Sequence, residues 1–87
     1  MMSDLEFDIL DELYFVISFK ELQKHLHLSE EVLANTLSNL LNKGWVKCFY
    51  AGGDEIVLQE ELDFETKYST YHYLATKAGL LAHNSRE

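Results

Sequence analysis

The sequence predicts an α+β domain, and three observations carry that expectation. Residues 19–46, FKELQKHLHLSEEVLANTLSNLLNKGWV, hold two amphipathic segments separated by the short polar turn His27-Leu28-Ser29. Directly after them, residues 45–50 (WVKCFY) alternate as a half-buried strand does, and Gly52-Gly53-Asp54 is a turn signal. Residues 68–74 then read as a second strand rich in tyrosine, and Thr76 is placed to cap a closing helix over 77–84.

The elements follow in order. Residues 3–14 predict a helix, because Leu5, Ile9 and Leu13 recur at helical spacing and Leu10 widens the stripe. Ser3 is its N-cap, with Glu6 three residues later in capping-box position. Phe7 and Tyr14 extend the apolar arc beyond what one core face requires. Residues 15–19 (FVISF) are short and β-branched or aromatic, which predicts a brief strand. Residues 20–27 predict a short helix with Leu22 and Leu26 inward, and Leu28 marks the buried position of the turn. Ser29 caps the next helix, with Glu30 and Glu31 in its first turn, where the helix dipole favours acids. In that helix Leu33, Leu37, Leu40 and Leu41 form the apolar arc, and Asn35, Ser38, Asn39 and Asn42 lie opposite. Gly44 is the left-handed stop. Residues 52–67 stay open: either Ile56-Val57-Leu58 pairs back as a strand, or the segment is one long acidic excursion.

Two helices joined by a tight polar turn and followed by a hairpin is the layout of a winged helix-turn-helix. That layout has a three-helix core, a β-hairpin wing and a short C-terminal helix, here in a single domain over residues 1–87. Leu40-Leu41-Asn42-Lys43-Gly44-Trp45-Val46 resembles the recognition-helix exit of bacterial regulators of the MarR and PadR kind. Leu74-Ala75-Thr76-Lys77-Ala78-Gly79-Leu80-Leu81 resembles their entry into the helix after the wing. The resemblance implies a transcription-regulator-like winged helix. Asn35 and Asn39 stand at positions often basic in those families, and the segment corresponding to the wing is acidic here.

Composition limits the functions open to the chain. With 87 residues, 47% of them apolar, it can bury a core but has little material for a deep cavity. There is no proline, and the four glycines are dispersed, so no linker divides it. The first residues, MMSDLEFDILDEL, are acidic where a secretory signal is basic, and no run of about 18 apolar residues is available to span a bilayer. Cys48 is the lone cysteine, which suits a reducing compartment. A cytoplasmic location away from membranes is the expectation. Net charge is −8, unevenly placed. Asp4, Glu6, Asp8, Asp11 and Glu12 stand at the start with no base among them. Asp54, Glu55, Glu60, Glu61, Asp63 and Glu65 follow the strand. The helix-turn-helix between these acidic stretches is neutral.

Two constellations are candidates for function. The first is the face Asn35, Ser38, Asn39 and Asn42 with Lys43 beside it. Asparagine reads adenine through N6 and N7, and a helix of this kind fits the major groove of double-stranded DNA, with Lys20 and Lys24 available for phosphates. The plain alternative is a solvated polar face, although asparagine is a poor helix former compared with lysine or glutamate. The second constellation is aromatic. Trp45, Phe49, Tyr50, Phe64, Tyr68, Tyr71 and Tyr73 crowd one region, more than a small wing easily hides. Together with Phe7 and Tyr14, Tyr71 and Tyr73 are expected to form a self-association surface that makes a homodimer. Cross-strand packing is the alternative.

Catalytic and metal readings find little support. His25 and His27 are two apart and point away from each other on a helix. A Cys48–His72 nucleophile pair needs the two strands to be neighbours, and the sequence shows no oxyanion donors or phosphate loop to go with it. The expectation is a non-catalytic module without cofactor or metal that binds DNA through residues 30–43. Its rival is a winged helix that binds another protein and no DNA.

Overall fold

A computed structural model describes residues 2–85 of the chain. The α+β expectation holds: among the described residues there are five α-helices and a three-stranded antiparallel sheet. The order is α1 (Asp4–Glu12), β1 (Ile17–Ser18), α2 (Phe19–Leu26), α3 (Glu30–Asn42), β2 (Val46–Phe49), a 3₁₀ turn (Gln59–Glu61), α4 (Phe64–Lys67), β3 (His72–Ala75) and α5 (Lys77–Asn84). The strands lie in the order β1-β3-β2.

The caps form where the sequence places them. Ser3 Oγ accepts from the Glu6 amide at 3.1 Å while Glu6 Oε1 accepts from the Ser3 amide at 2.9 Å, a complete capping box. Ser29 Oγ accepts from the Val32 amide and starts α3, and Gly44, at φ 75°, ends it. Between α2 and α3 the chain reverses through His27 in the left-handed region, at φ 54°.

The brief strand expected over residues 15–19 is shorter than that. Only Ile17 and Ser18 pair, and Phe19 already belongs to α2. Ser18 decides this, because its Oγ accepts from the Glu21 amide at 3.1 Å and nucleates the helix against the β preference of its neighbours. Phe15 is left outside, 81% exposed.

The expected hairpin is also revised. β2 and β3 pair, with Val46 opposite Ala75 and Cys48 opposite Tyr73, but residues 50–71 intervene. The chain turns through Gly52 and Gly53, both at positive φ, and comes back along β2 by one bridge between Phe49 and Ile56. The Val57 amide adds a bond to the Cys48 carbonyl at 2.9 Å. It then passes through the 3₁₀ turn and α4 before entering β3. Tyr68, expected to begin the strand, instead caps the C-terminus of α4.

One face of the sheet supplies the core. Val46, Cys48, Tyr71, Tyr73 and Ala75 are buried with Ile9, Leu10 and Leu13 of the α1 segment, Phe19 and Leu22 of α2, and Leu33, Leu37 and Leu40 of α3. Tyr71 and Tyr73, expected on a self-association surface, are therefore core residues, 2% and 0% exposed. They share one strand face, as the alternation implies, and that face points inward. The Tyr73 hydroxyl donates to the Tyr68 carbonyl at 2.6 Å, and the Tyr71 hydroxyl accepts from the Asp63 amide at 3.1 Å, so both polar tips are satisfied.

The other half of that expected surface is covered from within. α5 lies along α1, and the His83 ring stacks on Phe7 with centroids 4.2 Å apart. The Tyr14 hydroxyl lies 3.1 Å from His83 Nδ1 and donates to Asn84 Oδ1 at 2.9 Å, while His83 Nε2 lies 3.2 Å from Asp11. Phe7 is consequently half-buried, and Tyr14 keeps 42% of its surface.

Candidate functional site

α3 is the element around which the candidate site is built. Its leucines anchor it in the core, so the opposite face is held rigidly toward solvent. Asn35, Asn39 and Asn42 are exposed there, and Ser38 is half-buried. Thr36 is buried, its hydroxyl donating to the Val32 carbonyl at 2.8 Å.

Lys43, expected beside the DNA-binding face, is engaged within the chain. Its ammonium donates to both carboxylate oxygens of Glu6, at 3.0 and 2.8 Å, and lies 4.7 Å from the centre of the Trp45 ring. Glu6 is buried, so its charge is desolvated. That burial raises its pKa, yet hydrogen bonds from Lys43 and from the Ser3 backbone outweigh it and hold the carboxyl below its ordinary value. The lysine thus ties the end of α3 to the start of α1, and its charge is compensated inside the chain.

This pairing has a measurable consequence. Lys43→Met keeps an apolar stem beside Trp45 and leaves Glu6 buried without its partner. It is expected to cost about 1–2 kcal/mol at neutral pH, below the range for fully buried pairs because Lys43 is partly solvated. Because the folded-state pKa of Glu6 is depressed, its contribution is present above the unfolded value, about 4.3, and is lost as pH falls through the folded value. Urea unfolding should therefore show a gap between wild type and Lys43→Met at pH 7 that closes in acid. An equal gap at both pH values would refute the assignment.

Two depressions flank the α3 face and divide the expected DNA-binding residues. Asn39, Asn42 and Lys43 line a shallow one of about 420 Å³ with Ser3, Glu6 and Thr36. Asn35 and Ser38 line a second, of about 560 Å³, between the first turns of α3 and α4. Its floor is Ala34, its far wall Phe64 and Tyr68, and its rim Glu30, Glu31 and Glu65. The Tyr68 hydroxyl donates to Glu30 Oε2, closing one end, and the carboxylate raises the pKa of that phenol. The sequence singles out Asn35 and Ser38, and separately Phe64 and Tyr68 among its aromatics, but not that the two sets face each other. The only local signal was Phe64 and Tyr68 four residues apart behind Asp63, and nothing local tells such a turn where to dock.

Lys20 and Lys24 are exposed on α2, and Lys47 lies 5.9 Å from the centre of the Phe49 ring on the outer side of the sheet. The turn after β2 presents Asp54 and Glu55 to solvent.

The Cys48–His72 pair is not assembled. The register sets Cys48 opposite Tyr73 and His72 opposite Phe49, so the two side chains leave opposite faces of the sheet. Cys48 is buried, and desolvation pushes its thiol up to about 12, away from nucleophilic use. His25 Nδ1 lies 3.1 Å from Glu12. Among the described residues no group of three His, Cys, Asp or Glu side chains is placed to hold a metal, and no helix is long and apolar enough to cross a membrane. Comparison with known proteins gave no matching family model, no matching curated relative and no matching solved structure.

Proposed function

We propose that this chain is a winged helix-turn-helix module, regulator-like in architecture, that acts by docking another protein and not by reading DNA. The element order through α1, β1, α2, α3, β2 and β3, with the strands arranged β1-β3-β2, supports the winged-helix reading. In it α3 is the second helix of the two-helix turn and residues 50–57 form the wing.

The observation that carries the choice of partner is the Lys43–Glu6 ion pair. Affinity for a duplex comes mostly from lysine and arginine neutralising phosphates. Here the base at the end of α3 is already compensated, Glu30 and Glu31 occupy the helix start, and the wing carries Asp54 and Glu55. Those four carboxylates would meet a phosphate with like charge. The DNA reading keeps one observation in its favour, the exposed row Asn35, Asn39 and Asn42, whose amides match the adenine edge.

A salt series with a mixed-sequence duplex separates the two. The protein-docking reading expects no binding even at about 50 mM salt, and hence no salt slope. Salt-sensitive binding in which Asn39→Ala relaxes base preference, at a cost of about 1–3 kcal/mol, would instead establish DNA recognition.

A further inference from the structure

We infer that the groove between α3 and α4 receives an arginine side chain from a basic, partly apolar segment of a partner protein. This inference rests on the protein-docking reading above and specifies the chemistry of the partner.

The shape of the groove comes first. Ala34 is small enough to leave a floor beneath the first turns of α3, and Phe64 and Tyr68 form a wall of two rings with centroids 5.6 Å apart. Phe64 and Tyr68 are half-buried, so each is anchored in the fold and still offers surface to a ligand. Tyr68 is held from both sides, packed edge-on against Phe19 at 5.2 Å and bonded through its hydroxyl to Glu30. An anchored aromatic wall binds without the entropic cost of ordering a loose side chain.

The charge on the rim selects the occupant. Glu30, Glu31 and Glu65 surround the opening, and among the described residues no lysine or arginine lines it; Lys67 belongs to α4 but does not line the groove. An anionic or purely apolar ligand would meet uncompensated carboxylates. A guanidinium can lie flat on one of these two rings while its N–H groups meet carboxylates in the plane, which an ammonium does less well. Asn35 and Ser38 add polar atoms on the α3 side for the backbone or neighbouring side chains of the segment.

The test is a titration of the isotope-labelled full chain with a synthetic amphipathic peptide of arginine and leucine, followed by amide shifts. The same peptide with lysine or citrulline in place of arginine is run beside it. The arginine peptide should shift amides of residues 30–38 and 64–68, and the citrulline peptide should bind at least about tenfold more weakly. Glu65→Gln, an exposed substitution, and Phe64→Ala should each weaken the arginine peptide by about two- to fivefold, while Asp54→Asn with Glu55→Gln should leave it unchanged. Shifts spread over α1 and the wing, or equal weakening by the wing substitutions, would reduce the effect to general attraction for an acidic protein and overturn the inference. Failure of the peptide in a protein that also ignores duplex removes the groove assignment alone. Duplex binding removes the protein-docking reading itself.

Discussion

Gly79→Ala is expected to lower stability by about 2–4 kcal/mol, although alanine is the better helix former by about 1 kcal/mol. Gly79 is buried in α5 against the junction of α3 and β2. A Cβ built there would lie 2.1 Å from the Trp45 carbonyl oxygen and 2.9 Å from its carbon. Neither atom can give way cheaply, because that carbonyl also accepts from the Thr76 amide at 2.9 Å, and Thr76 Oγ1 donates to the Gly44 carbonyl at 2.7 Å. Two bonds and one contact set the distance of α5 from β2, so an added methyl must move the whole helix. A chain of this size is expected to be stable by about 4–13 kcal/mol in total, so the loss is a large share. Urea midpoints check it. Gly44→Ala is the control, since Gly44 has positive φ but open space around it, and should cost only about 1 kcal/mol. A Gly79→Ala protein as stable as wild type would show that α5 does not sit this close.

Tyr73→Ala is expected to cost about 3–5 kcal/mol and to leave the chain largely unfolded in mild denaturant. The ring is fully buried, its residue paired with Cys48 on one side and Ile17 on the other, so its loss opens a cavity at the centre of the sheet. It also removes the hydroxyl that donates to the Tyr68 carbonyl, the loss of one partly buried hydrogen bond. Tyr73→Phe isolates that second effect and should cost about 1 kcal/mol. Burial pushes the phenol well above its ordinary pKa, so no ionised form contributes to these measurements. The experiment also separates a core tyrosine from an interface tyrosine. An interface residue cut to alanine would give a folded monomer, whereas here thermal unfolding should be the signal at every concentration.

Much of the fold was legible because it is written in short-range chemistry. Ser3, Ser29 and Thr76 each accept from an amide three residues on, and that geometry needs no more than one turn of chain. Gly44 was legible for the same reason. The α5 boundaries follow from Thr76 and agree with expectation residue for residue. At Ser18 two local preferences competed, β propensity in FVISF and helix capping, and the hydrogen bond to Glu21 won.

The candidate site was less legible. Asn35, Asn39 and Asn42 are exposed as their helical phase requires, since a face opposite buried leucines can go nowhere else. The Lys43 ion pair was not legible because Glu6 is far from it in sequence, and only the packing of α1 on α3 brings them to 2.8 Å. The aromatic surplus was misread for a related reason. Alternation shows that Tyr71 and Tyr73 share a side, but not that the side is inward, nor that β3 is the central strand with neighbours at both edges.

By itself, then, the sequence determined where α3 and α5 begin and end, which residues share a face, and that an acidic chain frames a neutral two-helix turn. Those properties depend on residues within a few positions of one another. Tertiary structure alone decided that β3 lies between β1 and β2, that α5 covers Phe7, that Lys43 is neutralised by Glu6, and that α4 walls a groove beside α3. Each of these joins segments separated by long stretches of chain. Such contacts are selected by the burial available to the whole domain, to which local propensity is blind.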